Sequence, residues 1–123
     1  MAIRIASVVL SFSGLLALIL GLLLWNNIAL NLIQMHMLLG ILAVGALWVI
    51  GVGQALAKGG SWIVAAVALV VGVAMVSLGM TQSSLVVGEF HWLIQLLHLL
   101  LGLLVVGIGH MGAARYRRAT VRA

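Results

Sequence analysis

The sequence from Ile28 to Leu56 reads IALNLIQMHMLLGILAVGALWVIGVGQAL and contains no Lys, Arg, Asp or Glu. A run of about 20 mostly apolar residues is enough for one helix to cross the hydrocarbon core of a bilayer. The run does not alternate apolar and polar side chains, as the strands of a membrane β-barrel do. It therefore predicts a membrane-spanning α-helix.

Three further apolar runs flank this one, and short polar segments separate all four. The other runs extend from Ile5 to Trp25, from Trp62 to Gly79 and from Phe90 to Ala114. Helices joined by such short connections pack as antiparallel neighbours. The sequence therefore predicts an all-α membrane protein, an antiparallel four-helix transmembrane bundle.

The composition excludes several classes of protein. Hydrophobic residues make up 66% of the chain and charged residues only 6%, whereas a soluble domain is about 25% charged. The chain has no cysteine, which excludes disulfides, thiolate metal sites, iron–sulfur clusters and covalently attached c-type haem. The basic residues flank apolar runs and do not share a folded face, so we do not expect nucleic-acid binding.

The charged residues predict the orientation in the membrane. With four spans, the two termini and the middle connection share one side, and all six basic residues belong there: Arg4, Lys58, Arg115, Arg117, Arg118 and Arg122. The single acid, Glu89, belongs to the other side. Because basic residues collect on the cytoplasmic side, we expect both termini in the cytoplasm and the protein in a bacterial inner membrane.

The second and fourth runs contain an internal repeat. The segment HMLLGILAVG from His36 to Gly45 matches HLLLGLLVVG from His98 to Gly107 at seven of ten positions, with a constant offset of 62. The first and third runs share a weaker glycine pattern, Gly14…Gly21 and Gly72…Gly79. The chain thus reads as one transmembrane domain, residues 1–123, made of tandem hairpins 1–60 and 61–123. Parallel repeats of this kind are related by an axis along the membrane normal.

Histidines inside the spans are the candidate site, because ionisable residues at membrane depth are costly and often functional. The repeat axis brings His36 and His98 to equivalent positions around a shared centre. A neutral imidazole binds iron well, and two imidazoles from facing helices can hold both axial positions of a haem. We therefore expect one haem b per chain, with His36 and His98 as the metal ligands.

Further residues are candidates for lining this cofactor. Gly40 and Gly102 follow the two ligands by one turn and leave room for a flat macrocycle or a close helix. His91 and Gln95 share one helix face with His98, since their spacing is i, i+4 and i+7. The haem propionates would need polar partners at this end of the helices, where no arginine is present. The available residues are Asn31, Gln34, His91, Trp92 and Gln95.

The depth of the histidines leaves one alternative open. His36 lies 22 residues above Lys58, or about 33 Å of helix. His98 lies 17 residues above Arg115, about 26 Å, and His91 lies 24 above it, about 36 Å. Depth alone slightly favours His91 as the partner of His36, whereas the repeat favours His98. For His91 we then expect contact with a propionate or with an entrance to the site.

Histidines on the second and fourth of four short helices resemble the four-helix membrane b-type cytochromes, such as the cytochrome b561-like proteins. This resemblance implies electron transfer through haem b. Members of that family carry more histidine pairs and often two haems, whereas this sequence offers one pair. The chain also resembles small bacterial membrane proteins in three segments: Gly79–Gln82, His91–Gln95 and His98–Gly102.

Two other classes of function remain open from the sequence. The first is a cofactor-free accessory subunit, small channel or transporter, in which the histidines pack or relay protons. The second is a protein that binds a chlorophyll-type pigment through one histidine. We see no catalytic nucleophile or acid–base pair, so we do not expect a self-contained enzyme. A redox or quinone partner and a homo-oligomer are left open.

Overall fold

The structure, a computed structural model, describes residues 1–121 and is 87% helical, with no strand in that range. Its four long helices are α1 (Ala2–Trp25), α2 (Ile33–Ala55), α3 (Trp62–Thr81) and α4 (His91–Val121). Short 3₁₀ turns at Leu30–Leu32 and Gln82–Ser84 precede α2 and follow α3. All four helices are long and apolar enough to cross a membrane. The predicted all-α membrane four-helix bundle is confirmed.

The four helices form a bundle with α2 and α4 in contact across its centre. Helix α1 packs against α2 and α4, and α3 packs against the same two helices. Because successive helices are antiparallel, α2 and α4 run in the same direction. We call the end that holds Arg4, Lys58 and Arg115 the basic end. The opposite end, which holds the connections 26–32 and 82–90, is the far end.

Tight packing is confined to the basic half of the bundle. The apolar core is made by small and branched side chains from all four helices: Ile3, Ala6, Leu10, Ala43, Val44, Ala46, Leu47, Ile50, Ala55, Val64, Ala68, Val105 and Ala113. By contrast, neither 14–42 nor 73–104 contains a fully buried residue. The half of the bundle that contains His36 and His98 is therefore loosely packed by its own side chains.

The contacts between α2 and α4 follow the sequence repeat. A Cβ added at Gly112 would lie 3.0 Å from Cγ2 of Ile50, and one added at Gly109 would lie 3.6 Å from Cδ1 of Leu47. In both pairs the two residues are 62 positions apart, the offset of the repeat. Residues that touch their own repeat equivalents lie next to a pseudo-twofold axis, which therefore passes between α2 and α4.

Contacts away from the axis occur in matched pairs. A Cβ at Gly14 of α1 would lie 2.8 Å from Cγ2 of Val106 on α4, and one at Gly72 of α3 would lie 2.9 Å from Cγ1 of Val44 on α2. Val44 and Val106 are repeat equivalents at the offset of 62, and the two glycines match at the offset of 58 that relates α1 to α3. The absence of a side chain at both glycines lets the backbones approach, as is usual in membrane helix pairs.

Two helix boundaries differ from the predicted ones by five residues or more. Helix α2 begins at Ile33 instead of Ile28, because Asn27 and Ala29 adopt positive φ angles of 57° and 59°, which a right-handed helix does not allow. Helix α4 continues past Ala114 to Val121. Arginine and alanine favour the helical conformation in water as well as in lipid, so α4 continues beyond the end of its apolar run.

Candidate functional site

His36 and His98 lie opposite one another at the far half of the central helix pair. Their ring centroids are 6.0 Å apart, and the ring planes are tilted by 53°. Both side chains are half-buried. The structure thus brings together the two histidines that the sequence repeat relates.

His36 is held by α1. Its Nδ1 donates a hydrogen bond of 3.0 Å to the backbone carbonyl of Ala17. A Cβ added at Gly21, one turn further along α1, would lie only 3.1 Å from Cε1 of the ring. A proton on Nδ1 leaves the lone pair on Nε2, and a carbonyl partner of this kind is what fixes the tautomer of metal-binding histidines.

His98 occupies the equivalent position against α3 but lacks the hydrogen bond. A Cβ added at Gly79 would lie 3.0 Å from Cε1 of His98, which mirrors the contact between Gly21 and His36. The Nδ1 atom of His98 is buried and has no hydrogen-bond partner among the described residues. A buried polar atom left in this state costs about 1–3 kcal/mol. The imidazole of His98 is therefore unsatisfied by the protein alone.

The glycines that follow the two histidines differ in their surroundings. No atom lies within 4 Å of a Cβ added at Gly40, and a Cβ added at Gly102 would meet only the end of the Met75 side chain, at 3.5 Å. Both glycines lie one turn from a histidine on the same helix face. The structure therefore leaves open space one turn from His36, whereas Met75 contacts the equivalent glycine beside His98.

His91 does not pair with His36. Its Nδ1 donates to the carbonyl of Leu85 at 3.1 Å, which ties the first residue of α4 to the preceding connection. Counting depth from Lys58 and Arg115 was misleading because those residues are not at the same level. The contact between Ile50 and Gly112 sets a register of 62 residues, which aligns His36 with His98.

Gln95 is half-buried and lies one turn before His98 on α4. Asn31, Gln34 and Trp92 are exposed near the far end. These positions are polar groups in the same part of the molecule as the histidine pair. None of them is fully buried, in line with the loose packing of this half.

His110 belongs to a separate place near the basic end. Its Nε2 is 2.9 Å from the hydroxyl of Ser11 on α1. Both residues border a cleft of about 720 Å³ between α1 and α4, which Phe12 and Arg117 also line. His110 therefore joins two helices and takes no part in the pair formed by His36 and His98.

The ligand set restricts which metal group the site could hold. Residues 1–121 contain no group of three or more His, Cys, Asp or Glu side chains placed to bind one ion. Structural and catalytic zinc sites use four and three protein ligands. A haem needs only two axial ligands from the protein, because its porphyrin supplies the rest.

Sequence reasoning missed the residues on α1 and α3 that support the histidines. Ala17 contributes a carbonyl, and Gly21 and Gly79 contribute bare backbone surface. The one available signal was the glycine pattern shared by the first and third spans, which placed these glycines at matching positions. The pattern gave no indication that each would touch a histidine.

No protein-family model matches the chain, and no curated protein or solved structure is similar enough to match it. The arrangement of the side chains is therefore the basis for assigning a function.

Proposed function

We propose that the protein is an integral membrane b-type cytochrome that binds one haem b through His36 and His98 and transfers electrons. The observation that carries this proposal is the 6.0 Å separation of the two imidazole centroids. Imidazoles on opposite sides of one first-row metal have centroids about 6 Å apart, since each nitrogen lies about 2 Å from the metal. His36 and His98, whose ring planes are tilted by 53°, would be the residues that hold the haem, and the haem would supply one-electron chemistry.

The surroundings of the two imidazoles support the same proposal. Ala17 holds the proton of His36 on Nδ1, so that Nε2 is free to bind iron. Nδ1 of His98 is buried and has no partner among the described residues, and no atom lies within 4 Å of a Cβ added at Gly40. Leucine-rich helices solvate an apolar porphyrin and exclude water from it. A haem with two imidazole ligands accepts and releases single electrons.

The charge pattern supports an orientation for this cytochrome. Every Lys and Arg of residues 1–121 belongs to the basic end, and the only acidic residue of the sequence, Glu89, belongs to the far end. By the positive-inside rule the basic end is cytoplasmic, which puts the haem nearer the outer face of a bacterial inner membrane. The site would then exchange electrons with a redox partner, a quinone among the candidates, in that half of the membrane.

Absorption spectra of the purified protein test the proposal directly. After expression with added haem, we expect a Soret band and sharp α and β bands on reduction with dithionite. His36→Ala and His98→Ala should each lower bound haem at least tenfold, because one imidazole alone holds a b-type haem weakly. His110→Ala is the matched control and should keep the full spectrum.

The same spectra separate the rival functions. A chlorophyll-type pigment would give a red absorption band that is lost with one histidine only. A cofactor-free accessory subunit, channel or transporter would give no visible band in the wild-type protein after haem supplementation. Equal haem binding by wild type and the double variant His36→Ala, His98→Ala would place any haem elsewhere and overturn the proposal.

A further inference from the structure

A cleft of about 360 Å³ opens at the basic end, where the connection between α2 and α3 meets the last turns of α4. Three cations line it: Lys58 from the connection, and Arg115 and Arg118 from α4. The two arginines are three residues apart and so lie on one face of their helix. The fold therefore collects positive charge from two separate segments around one opening.

The connection that carries Lys58 is fixed by a buried side chain. Gln54 is only 1% exposed, and its amide nitrogen donates to the carbonyl of Ser61 at 2.6 Å. Gly59 has a φ of +75°, and Gly60 packs directly on the carbonyl oxygens of Gln54 and Ala55. A larger residue at either glycine would move the connection. The position of Lys58 beside α4 is thus determined by the structure of the turn.

No carboxylate side chain balances these charges. The only acidic residue in the sequence is Glu89, which lies at the far end of the bundle. Helix α3 begins next to the cleft at Trp62, and no side chain caps its N-terminus. Helix N-termini carry partial positive charge. The cleft therefore combines three cations with a further positive end and no acidic side chain.

The neighbouring surface is apolar. Leu56 is 70% exposed and Trp62 is 63% exposed, and both flank the connection that lines the cleft. Tryptophan at a span end is typical of the boundary between headgroups and acyl chains. A ligand that presents an anion to the cleft and hydrocarbon to these side chains would satisfy both surfaces.

We propose that the cleft formed by Lys58, Arg115 and Arg118 binds the phosphate of an anionic phospholipid such as phosphatidylglycerol. Basic pockets between membrane helices bind lipid headgroups in this way. The arginines supply charge-assisted hydrogen bonds to phosphate oxygens, while Leu56 and Trp62 contact the acyl chains. This site is independent of the histidine pair and of any haem.

Lipid retention by the delipidated full-length protein tests the proposal. We expect the wild type to retain phosphatidylglycerol from mixed micelles, and to retain phosphatidylcholine at least tenfold less well, by native mass spectrometry. The variant Arg115→Gln, Arg118→Gln should lose about tenfold in apparent affinity for phosphatidylglycerol, since each basic residue contributes to headgroup attraction. Lys58→Gln, an exposed substitution in the connection, should lose a smaller factor in the same assay.

The double variant Arg4→Gln, Arg117→Gln is the matched control, because it removes the same charge from exposed positions outside the cleft. It should change the affinity less than twofold. Equal losses in the two double variants would show diffuse surface attraction and overturn the site. Equal binding of phosphatidylcholine, or displacement of the lipid by inorganic phosphate at similar concentration, would overturn the assignment to an anionic lipid.

Discussion

The two halves of this bundle differ in how tightly their side chains pack. At the basic end, side chains from all four helices interlock, and Leu10, Leu47 and Ile50 have no exposed surface. At the far end, no residue in 14–42 or 73–104 is fully buried, yet this half contains His36 and His98, whose ring centroids are 6.0 Å apart. One half is held by packing, and the other surrounds an incompletely satisfied pair of histidines.

The difference separates residues that pack the fold from residues that surround the candidate site. Three glycines of the basic half mark places where the backbone meets an inward-facing side chain: Gly72, Gly109 and Gly112. In the far half, Gly40 borders open space. The same residue type thus has two roles, and substitutions at glycine can tell them apart.

The largest effect is expected from filling a glycine contact in the basic half. At Gly72 an added Cβ would lie 2.9 Å from Cε2 of Trp48 and 2.9 Å from Cγ1 of Val44. Gly45, in α2, has no atom within 4 Å of its Cβ position. Both changes to Ala bring the same gain in helix propensity, so their difference isolates the contact. We expect Gly72→Ala to be less stable than Gly45→Ala by about 1–3 kcal/mol.

Unfolding by dodecyl sulfate in mixed micelles, followed by circular dichroism, measures this difference. Gly45→Ala should be as stable as the wild type or more stable by about 0.5–1 kcal/mol. Equal stability of the two variants would mean that α2 and α3 are free to separate at Gly72. The contrast between a packed and an open half would then not hold.

A smaller effect is expected from filling the space beside His36. Gly40→Leu should leave the unfolding free energy nearly unchanged, because no side chain lies within 4 Å of the new Cβ. It should weaken haem binding about tenfold, which corresponds to 1.4 kcal/mol, if the space is used by the cofactor. Haem titration followed at the Soret band measures the affinity.

The control for this change is Gly107→Leu on α4, which also has no atom within 4 Å of its Cβ position but is not one turn from His36 or His98. It should keep the haem affinity of the wild type. Full haem affinity in Gly40→Leu would show that the open space beside His36 is not part of the cofactor site.

The smallest effect is expected at the hydrogen bond between Ser11 and His110, which is 2.9 Å long and exposed. Hydrogen bonds between membrane helices contribute about 0.6 kcal/mol on average. We expect Ser11→Ala to lower the unfolding free energy by about that amount and to leave the haem spectrum intact. Ser7→Ala is the control, because Ser7 donates within its own helix to the carbonyl of Ile3. A loss of haem in Ser11→Ala would tie this end of the bundle to the site.

The number, order and class of the helices could be predicted from hydropathy alone, and α1 ends at Trp25 and α3 begins at Trp62 as expected. The start of α2 and the end of α4 could not. Hydropathy reports which residues suit lipid, and it does not detect the positive φ of Ala29. Nor does it detect that the arginine-containing segment after Ala114 continues as helix.

The part of the candidate site that consists of side chains could be predicted from the sequence. The sequence repeat predicted the pair His36 and His98. The depth counted in residues favoured His91 instead, because Lys58 lies in a connection beyond the end of α2. The supporting groups were not predictable. The carbonyl of Ala17 and the bare surface of Gly79 are backbone features, and only the packing of neighbouring helices brings them against an imidazole.

The pseudo-twofold arrangement has a consequence for how the two histidines can differ. Two identical hairpins that assembled as a symmetric dimer would have to present the same residue at both equivalent positions. In one continuous chain, Ala17 accepts a hydrogen bond from His36, while Met75 stands at the matching position of α3, 58 residues later, and Nδ1 of His98 has no partner among the described residues. Because the two hairpins belong to one chain, their sequences can differ at equivalent positions. The surroundings of His36 and His98 therefore need not be chemically alike.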